Sequence, residues 1–503
     1  MHRALVIRDI LRLIFEYLAP EIDIEELFGP ILIHYRGLSF LPNTRSSLRN
    51  VALVCRSFKD PALDLLWWAM DDLGPLFSLL GHEEVTRKRL STKLIRHPLL
   101  DSEIATFFSY ARRIRLCFFK GSSGSASANR TRILPSLKYL LCLGSHPELH
   151  FLMSPCLVGF HAFACEYPKD EPGPIDVWTF VRLLPQKASG FRYLRLECPV
   201  TNNCLQAIAR MPNLRLLDIG NSRNEGLAID ASFLKALSFV SNLSKLHFQG
   251  RGVFLPANVP LGTQFQFENL TDMCITCTDP IEDLTAAGGI LKLFHLAKFP
   301  NLQKLHLHYP GEVTALEIAL WHDFFESLVQ ATTRALSSFS IEGRSRSAST
   351  PVTLGMVSSI FKLSLKYFDE VDFFGPITMS DCKFFFETLI QLATGLPCLR
   401  ELHILLDCRE IPPSEDVPIL AHPLSSFSMT NSSRAPTDPF LLAVCLDRLF
   451  PFVDTWYLPV ECEDNRLGVG WAQVNKLLHV FQSTRSDQKV RESIPQQSVH
   501  RPS

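Results

Sequence analysis

Three histidines recur at one position of a repeated phrase, and they make the chain's best case for metal chemistry. His247, His306 and His403 each sit between two apolar residues, in Leu246-His247-Phe248, Leu305-His306-Leu307 and Leu402-His403-Ile404. Imidazole nitrogens hold zinc at about 2 Å. If neighbouring strands carry these residues about 4.8 Å apart, His247 and His306, two repeats apart, start roughly 10 Å from each other. Two rings leaning together could just share an ion, but a third ligand is lacking. A polar sheet face is the simpler reading. Cys274 and Cys277 form the one C-x-x-C, with no second pair at zinc-finger distance. The 14 cysteines show no even framework, so they read as small buried hydrophobes.

Catalytic signatures are missing. There is no G-x-x-x-x-G-K-[S/T] phosphate loop, no G-x-G-x-x-G, no G-x-S-x-G elbow and no H-E-x-x-H. With 14 Cys and 16 His a chance Cys–His pair stays open. The reading is a chain without enzyme activity, cofactor or metal.

Composition narrows the partners. The 503 residues are 47% apolar and 20% charged, a globular balance with room for several domains. A net charge of −1 gives no general attraction to nucleic acid or anionic membrane, though a local patch is allowed. No secretory signal and no run of about 20 uncharged apolar residues is visible. The expected location is cytoplasmic, nuclear or both, where thiols stay reduced.

The elements that position the histidines come from one phrase: apolar, two residues, apolar, one residue, apolar. Clear copies start at Phe191, Leu214, Leu243, Leu270, Leu302, Leu336, Leu399, Leu424 and Val453. Weaker copies are Ala111–Leu116, Leu137–Cys142, Leu157–Ala162 and Leu365–Glu370. The last two apolar residues are two apart, so they share one face of a strand. The residue between them turns to the other face. Helical stripes fill the gaps: Phe324, Phe325, Leu328 and Val329; Phe384, Phe385, Thr388, Leu389 and Leu392; and Phe440, Leu441, Val444, Cys445 and Leu449.

This pattern resembles the helical, ribonuclease-inhibitor-like class of leucine-rich repeats, with the usual Asn or Cys after the phrase mostly missing. The resemblance implies an α/β solenoid, a curved parallel sheet with helices outside, whose concave face binds a target protein. Candidate residues there are Tyr193, Arg195, Asp218, His247, His306, His403 and Tyr457.

The N-terminal stretch is different. Ile7, Ile10, Leu11, Ile14, Phe15 and Leu18 form one helical stripe. Leu48, Val51, Ala52, Cys55 and Phe58 form a second. Asp60-Pro61 reads as an N-cap and first helical residue, starting a third helix with Leu63, Leu66, Trp67 and Met70 on one side. The matching residues Ile10, Leu11, Ile14, Phe15, Leu18, Leu48, Val51, Leu53, Val54, Cys55, Arg56, Phe58, Pro61, Leu63 and Trp67 resemble an F-box. Arg8 stands where that family usually has Pro, and residues 19–45 replace its usual short link.

That resemblance implies a receptor that docks a Skp-type adaptor, and through it a cullin, in a ubiquitin ligase. Its contacts would come from Ile10, Ile14, Leu48, Val51, Leu53, Val54 and Trp67, some of which must instead hold the helices together. The alternatives are a repeat scaffold outside any ligase, or a three-helix lead-in that caps the next domain. The expected layout is an all-α module over 1–70 with an inserted loop at 19–45, and a helical connector over 71–110. Repeats over 111–482 and a disordered tail over 483–503 follow. Residues from about 100 onward should fold alone.

Overall fold

A computed structural model describes residues 10–11, 13–15, 42–80, 100–119, 133–163, 175–198, 200–220, 231–250, 265–277 and 293–309. Beyond these it describes 327–328, 330–332, 338–343, 370–374, 386–395, 397, 399–404, 408, 410–429, 436–458 and 468–493. The insertion expected at 19–45 lies outside this set up to residue 41. So do the low-complexity run 121–132, residues 324, 325, 384 and 385, and the last ten positions of the chain. The chain divides into two compact units, Met1–Val253 and Phe254–Ser503.

In the first unit seven parallel strands follow one another in sequence order. They are β1 (Ala69–Met70), β2 (Leu116–Phe119), β3 (Tyr139–Leu143), β4 (Gly159–Phe163), β5 (Tyr193–Leu196), β6 (Leu216–Gly220) and β7 (Lys245–Gly250). Helices Ile175–Lys187, Asn202–Ile208 and Ala231–Ser238 stand between the later strands. The register explains the phrase. Leu140, Phe160, Leu194, Leu217 and Leu246 are successive cross-strand neighbours, and each is fully buried. Burying a side chain of this size contributes about 1.5–3 kcal/mol. Val177, Phe180, Val181 and Leu184 of helix Ile175–Lys187 are buried too, with Phe180 against Phe160 at 4.6 Å between ring centroids.

Hydrogen bonds repeat with the phrase. The carbonyls of Trp68, Arg115, Lys138, Val158, Arg192 and Arg215 each accept two N–H groups from the next repeat, at 2.7–3.1 Å. The asparagines that lead into the phrase add a side-chain stitch. Asn213 donates to the Ser189 carbonyl at 2.8 Å, and Asn242 to the Pro212 carbonyl at 3.0 Å. Each such bond is worth about 1 kcal/mol net.

In the second unit β8 (Phe265–Gln266) pairs with β10 (Ala297–Lys298). Seven more strands pair in parallel and in order. They are β9 (Asp272–Cys277), β11 (Lys304–Tyr309), β12 (Ser338–Gly343), β13 (Glu370–Phe374), β14 (Glu401–Ile404), β15 (Ser426–Met429) and β16 (Thr455–Tyr457). Thr271, Arg400 and Ser425 carbonyls take the same two-donor role, and Asn301 donates to the Glu268 carbonyl. Helices Phe386–Gly395 and Pro439–Leu449 precede β14 and β16 respectively.

Every clear copy of the phrase forms a strand that begins two residues after its first apolar position. Two weak copies are displaced by three residues. The strand near Ala111–Leu116 is aligned on Ile114, because Leu116 pairs with Tyr139. The one near Leu365–Glu370 is aligned so that Val371 meets Phe339. β1 was not expected. Met70, assigned by spacing to a helix, lies in it, because Ala69–Met70 can pair with Leu116–Cys117.

Three helical expectations are corrected. The break between the N-terminal helices Pro42–Val54 and Arg56–Leu66 falls at Cys55, whose backbone is extended, and Pro61 lies inside the second helix. Asp60 is not the cap: Arg113 grips its carboxylate at 2.8 Å and its carbonyl at 3.1 Å, and also reaches Asp64. In helix Pro439–Leu449 the buried face is Leu442, Ala443, Cys445, Leu446 and Leu449, with Phe440 exposed beside Phe481. Asp438 caps that helix by accepting the Leu441 N–H at 2.9 Å.

Finally, helix Gly468–Ser493 runs into the segment expected to be disordered from 483. Trp471, Val474 and Leu478 bury its first half. Arg485 then holds its second half to Asp447 and to the Pro451 carbonyl.

Candidate functional site

The N-terminal helices have an inside and an outside. Leu11, Phe15 and Leu48 are buried together, with Val51, Phe58, Leu65 and Leu66 packed on them. Phe15 meets Phe58 edge-on at 5.8 Å. Leu48 and Val51 therefore hold the helices to one another. Trp67 lies against Tyr110 at 4.8 Å, on the side of helix Asp101–Ala111. Ile10, Leu13, Ile14, Leu53 and Val54 remain exposed, Leu53 at 78% and Val54 at 65%. Helix spacing puts Ile10, Leu13 and Ile14 on one side, away from Leu11 and Phe15. This separates roles that residue spacing alone leaves merged.

The sheet face carrying the slot residues is closed in the first unit. Cross-strand register aligns His161, Arg195, Asp218 and His247 on β4 to β7. All four are buried, His161 completely. His161 Nε2 lies 3.0 Å from Glu197 Oε1, so a neutral imidazole protonated there donates to the carboxylate. Arg195 lies 2.9 Å from Glu197 and 3.3 Å from Asp218. His247 Nδ1 is 3.9 Å from Asp218. Burial pushes the His161 imidazole below its ordinary value, against the pull of Glu197. Burial would raise the Glu197 carboxyl, but His161 and Arg195 together hold it below the usual range. Beside this ladder the same face is apolar. Leu116, Phe118, Tyr139, Leu141, Phe163 and Leu216 are buried in one cluster, with Tyr193 packed on it. Thus Tyr193, Arg195, Asp218 and His247 are engaged with their neighbours and do not form an open surface.

In the second unit the corresponding face is more open. Lys304, Glu401, Thr455 and Tyr457 are exposed, Tyr457 at 58%. His306 is half-buried and adjoins Cys274 and Ser340 in register. His403 sits in the same slot, between Asp372 and Ser428, by strand pairing; its side chain lies outside the described set. Among the described residues no group of three or more His, Cys, Asp and Glu is placed to hold a metal. Cys274 is buried, with its sulfur 3.9 Å from the Thr276 hydroxyl.

His161 and Glu197 escaped the sequence reading. His161 occupies the slot position of a weak copy, which is the signal that could have found it. Glu197 lies one residue past its phrase, where nothing marks it.

No family model and no curated protein matches the chain. A solved leucine-rich repeat protein of Leptospira interrogans is similar to it. The match covers 71% of this chain and 86% of that one, at 14% identity and a TM-score of 0.35. No helix among the described residues is long and apolar enough to cross a membrane.

Proposed function

We propose that the chain is a non-catalytic, leucine-rich-repeat-type scaffold that binds a protein partner on the slot face of its second unit. One observation carries the reading: parallel pairing stacks one slot residue per repeat into a continuous row. Extended repeat surfaces of this kind suit protein recognition. The row mixes His306, Ser340, Asp372, His403, Ser428 and Tyr457, so it fits a surface of mixed polarity. Thiols outside any disulfide, such as Cys117, Cys204 and Cys445, are in keeping with a reducing compartment, cytosol or nucleus.

A photo-crosslinking residue placed at Tyr457 tests this. The expected result is a discrete protein adduct that is absent when the same label stands at the exposed helical Glu387. Equal yields at both positions would remove the face from consideration.

The exposed N-terminal side chains favour a second, finer reading. Ile10, Leu13, Ile14, Leu53 and Val54 would dock a Skp-type adaptor and, through it, a cullin. The chain would then be a ubiquitin-ligase substrate receptor. It would raise the effective concentration of a bound target's lysines near a charged ubiquitin carrier. Because Leu53 and Val54 are exposed, a Leu53→Asp/Val54→Asp variant should melt within about 0.5 kcal/mol of the parent. Mixed with purified adaptor, the parent should bind and the variant should lose at least tenfold in affinity. No binding by the parent would end this reading and leave the scaffold standing.

A further inference from the structure

The carbonyl row of the first unit has a basic side-chain row attached to it. Arg115, Lys138, Val158, Arg192 and Arg215 occupy the same position in five consecutive repeats, immediately before β2 to β6. Their backbones are locked by the paired hydrogen bonds already described, so the side chains are carried at the strand spacing of about 4.8 Å. Lys138, Arg192 and Arg215 are exposed and Arg115 is half-buried. The Arg115 guanidinium reaches along the row to the Ser136 carbonyl at 3.0 Å. No carboxylate among the described residues makes an ion pair with any of the four. Lys187 and Arg210, both exposed, stand four residues before the phrases of β5 and β6 and extend the positive edge.

Like charges on adjacent strands repel. A fold free to choose would scatter them or pair them, as Arg195 is paired with Glu197 and Asp218 on the neighbouring face. The chain as a whole carries a charge of −1, so the row is a local feature.

We propose that this row binds an acidic, extended segment of a partner protein. The four cations span about 19 Å, four strand spacings. That is about six residues of extended chain. Val158, half-buried against the apolar cluster of the slot face, interrupts the row at its centre and separates two pairs of cations, which suits an apolar residue flanked by carboxylates. It suits a continuous phosphate backbone less well. This deepens the scaffold reading and rests on it, because it adds a second contact on a different unit.

The test uses the full chain and a fluorescein-labelled decapeptide in which glutamates flank a central leucine, followed by anisotropy. The parent should bind, and affinity should fall steeply between about 50 and 200 mM salt. Arg192→Glu/Arg215→Glu should weaken binding at least tenfold, and Arg192→Gln/Arg215→Gln by less. Lys235→Glu, on the exposed side of helix Ala231–Ser238, should change nothing. Failure of the parent to bind overturns the proposal, as does an equal loss with Lys235→Glu. Tighter, row-dependent binding of an oligothymidylate also overturns it, in favour of a nucleic-acid contact. Crosslinking at Tyr457 reports on the other unit, so the scaffold reading and this one can fail separately.

Discussion

A chain shortened to begin at Leu100 is expected to lose the fold of its first unit, against the expectation from sequence that this part stands alone. The cut removes β1, which pairs with Leu116 and Cys117. It removes the Trp68 carbonyl, which accepts the Arg115 and Leu116 N–H groups at 2.9 Å. It takes Asp60 and Asp64 from Arg113, whose side chain is only 14% exposed. It also strips Trp67 from Tyr110. Each loss is worth about 1–3 kcal/mol, against a typical total of about 5–15 kcal/mol. Arg45 adds a further tie, to the Ala69 carbonyl at 2.9 Å and to Asp71 at 3.1 Å. The helical module and the sheet therefore share one structure. Size-exclusion chromatography and amide exchange in β2 and β3 would show it. A monomeric product with intact protection there would refute the coupling.

Arg195→Met is expected to be the most damaging point substitution on the closed face, costing about 3–5 kcal/mol. It leaves the buried carboxylate of Asp218 and the half-buried carboxylate of Glu197 without the cation between them. Acid should act through the same ladder. His161 has a lowered value in the fold, so the unfolded chain takes up its proton first as pH drops. Stability is then full above the ordinary imidazole range and falls as pH descends toward the folded value. Glu197 is also lowered, so a second loss follows as pH falls below the ordinary carboxylate range. In Arg195→Met one of the two groups that hold Glu197 down is gone, so its folded value lies closer to the ordinary one and this acid loss should be smaller and end at higher pH. Amide exchange of β4 to β6, followed from pH 8 to pH 3, measures both effects. Unchanged protection in the variant at pH 7 would show the ladder to be dispensable.

The repeated phrase made most of the sheet legible, because alternation along a strand leaves a regular apolar trace. It failed where the trace is thin. β1 has two residues, too few for alternation. The copies near Ala111 and Phe368 each offered several apolar frames, and only pairing with Tyr139 or Ser338 selects one. The slot residues were placed on the right face by parity. Their state was not legible, since whether Arg195 is exposed depends on Glu197, Asp218 and the apolar cluster beside them. Polar anchors were the hardest to see. Asp60 looked like a cap until Arg113 claimed it, and Arg485 looked like part of a solvated tail until Asp447 did. Such contacts join residues 53 and 38 positions apart, and no local pattern encodes them.

The two-donor carbonyl row has a mechanical side. Each repeat of the first unit is bonded edge to edge to the next, and strand order equals chain order. Tension applied at its two ends would meet these bonds one strand at a time, as a zipper does, and never all together in shear. Such a protein yields at low force in small steps, each releasing one repeat, and rezips from whatever remains.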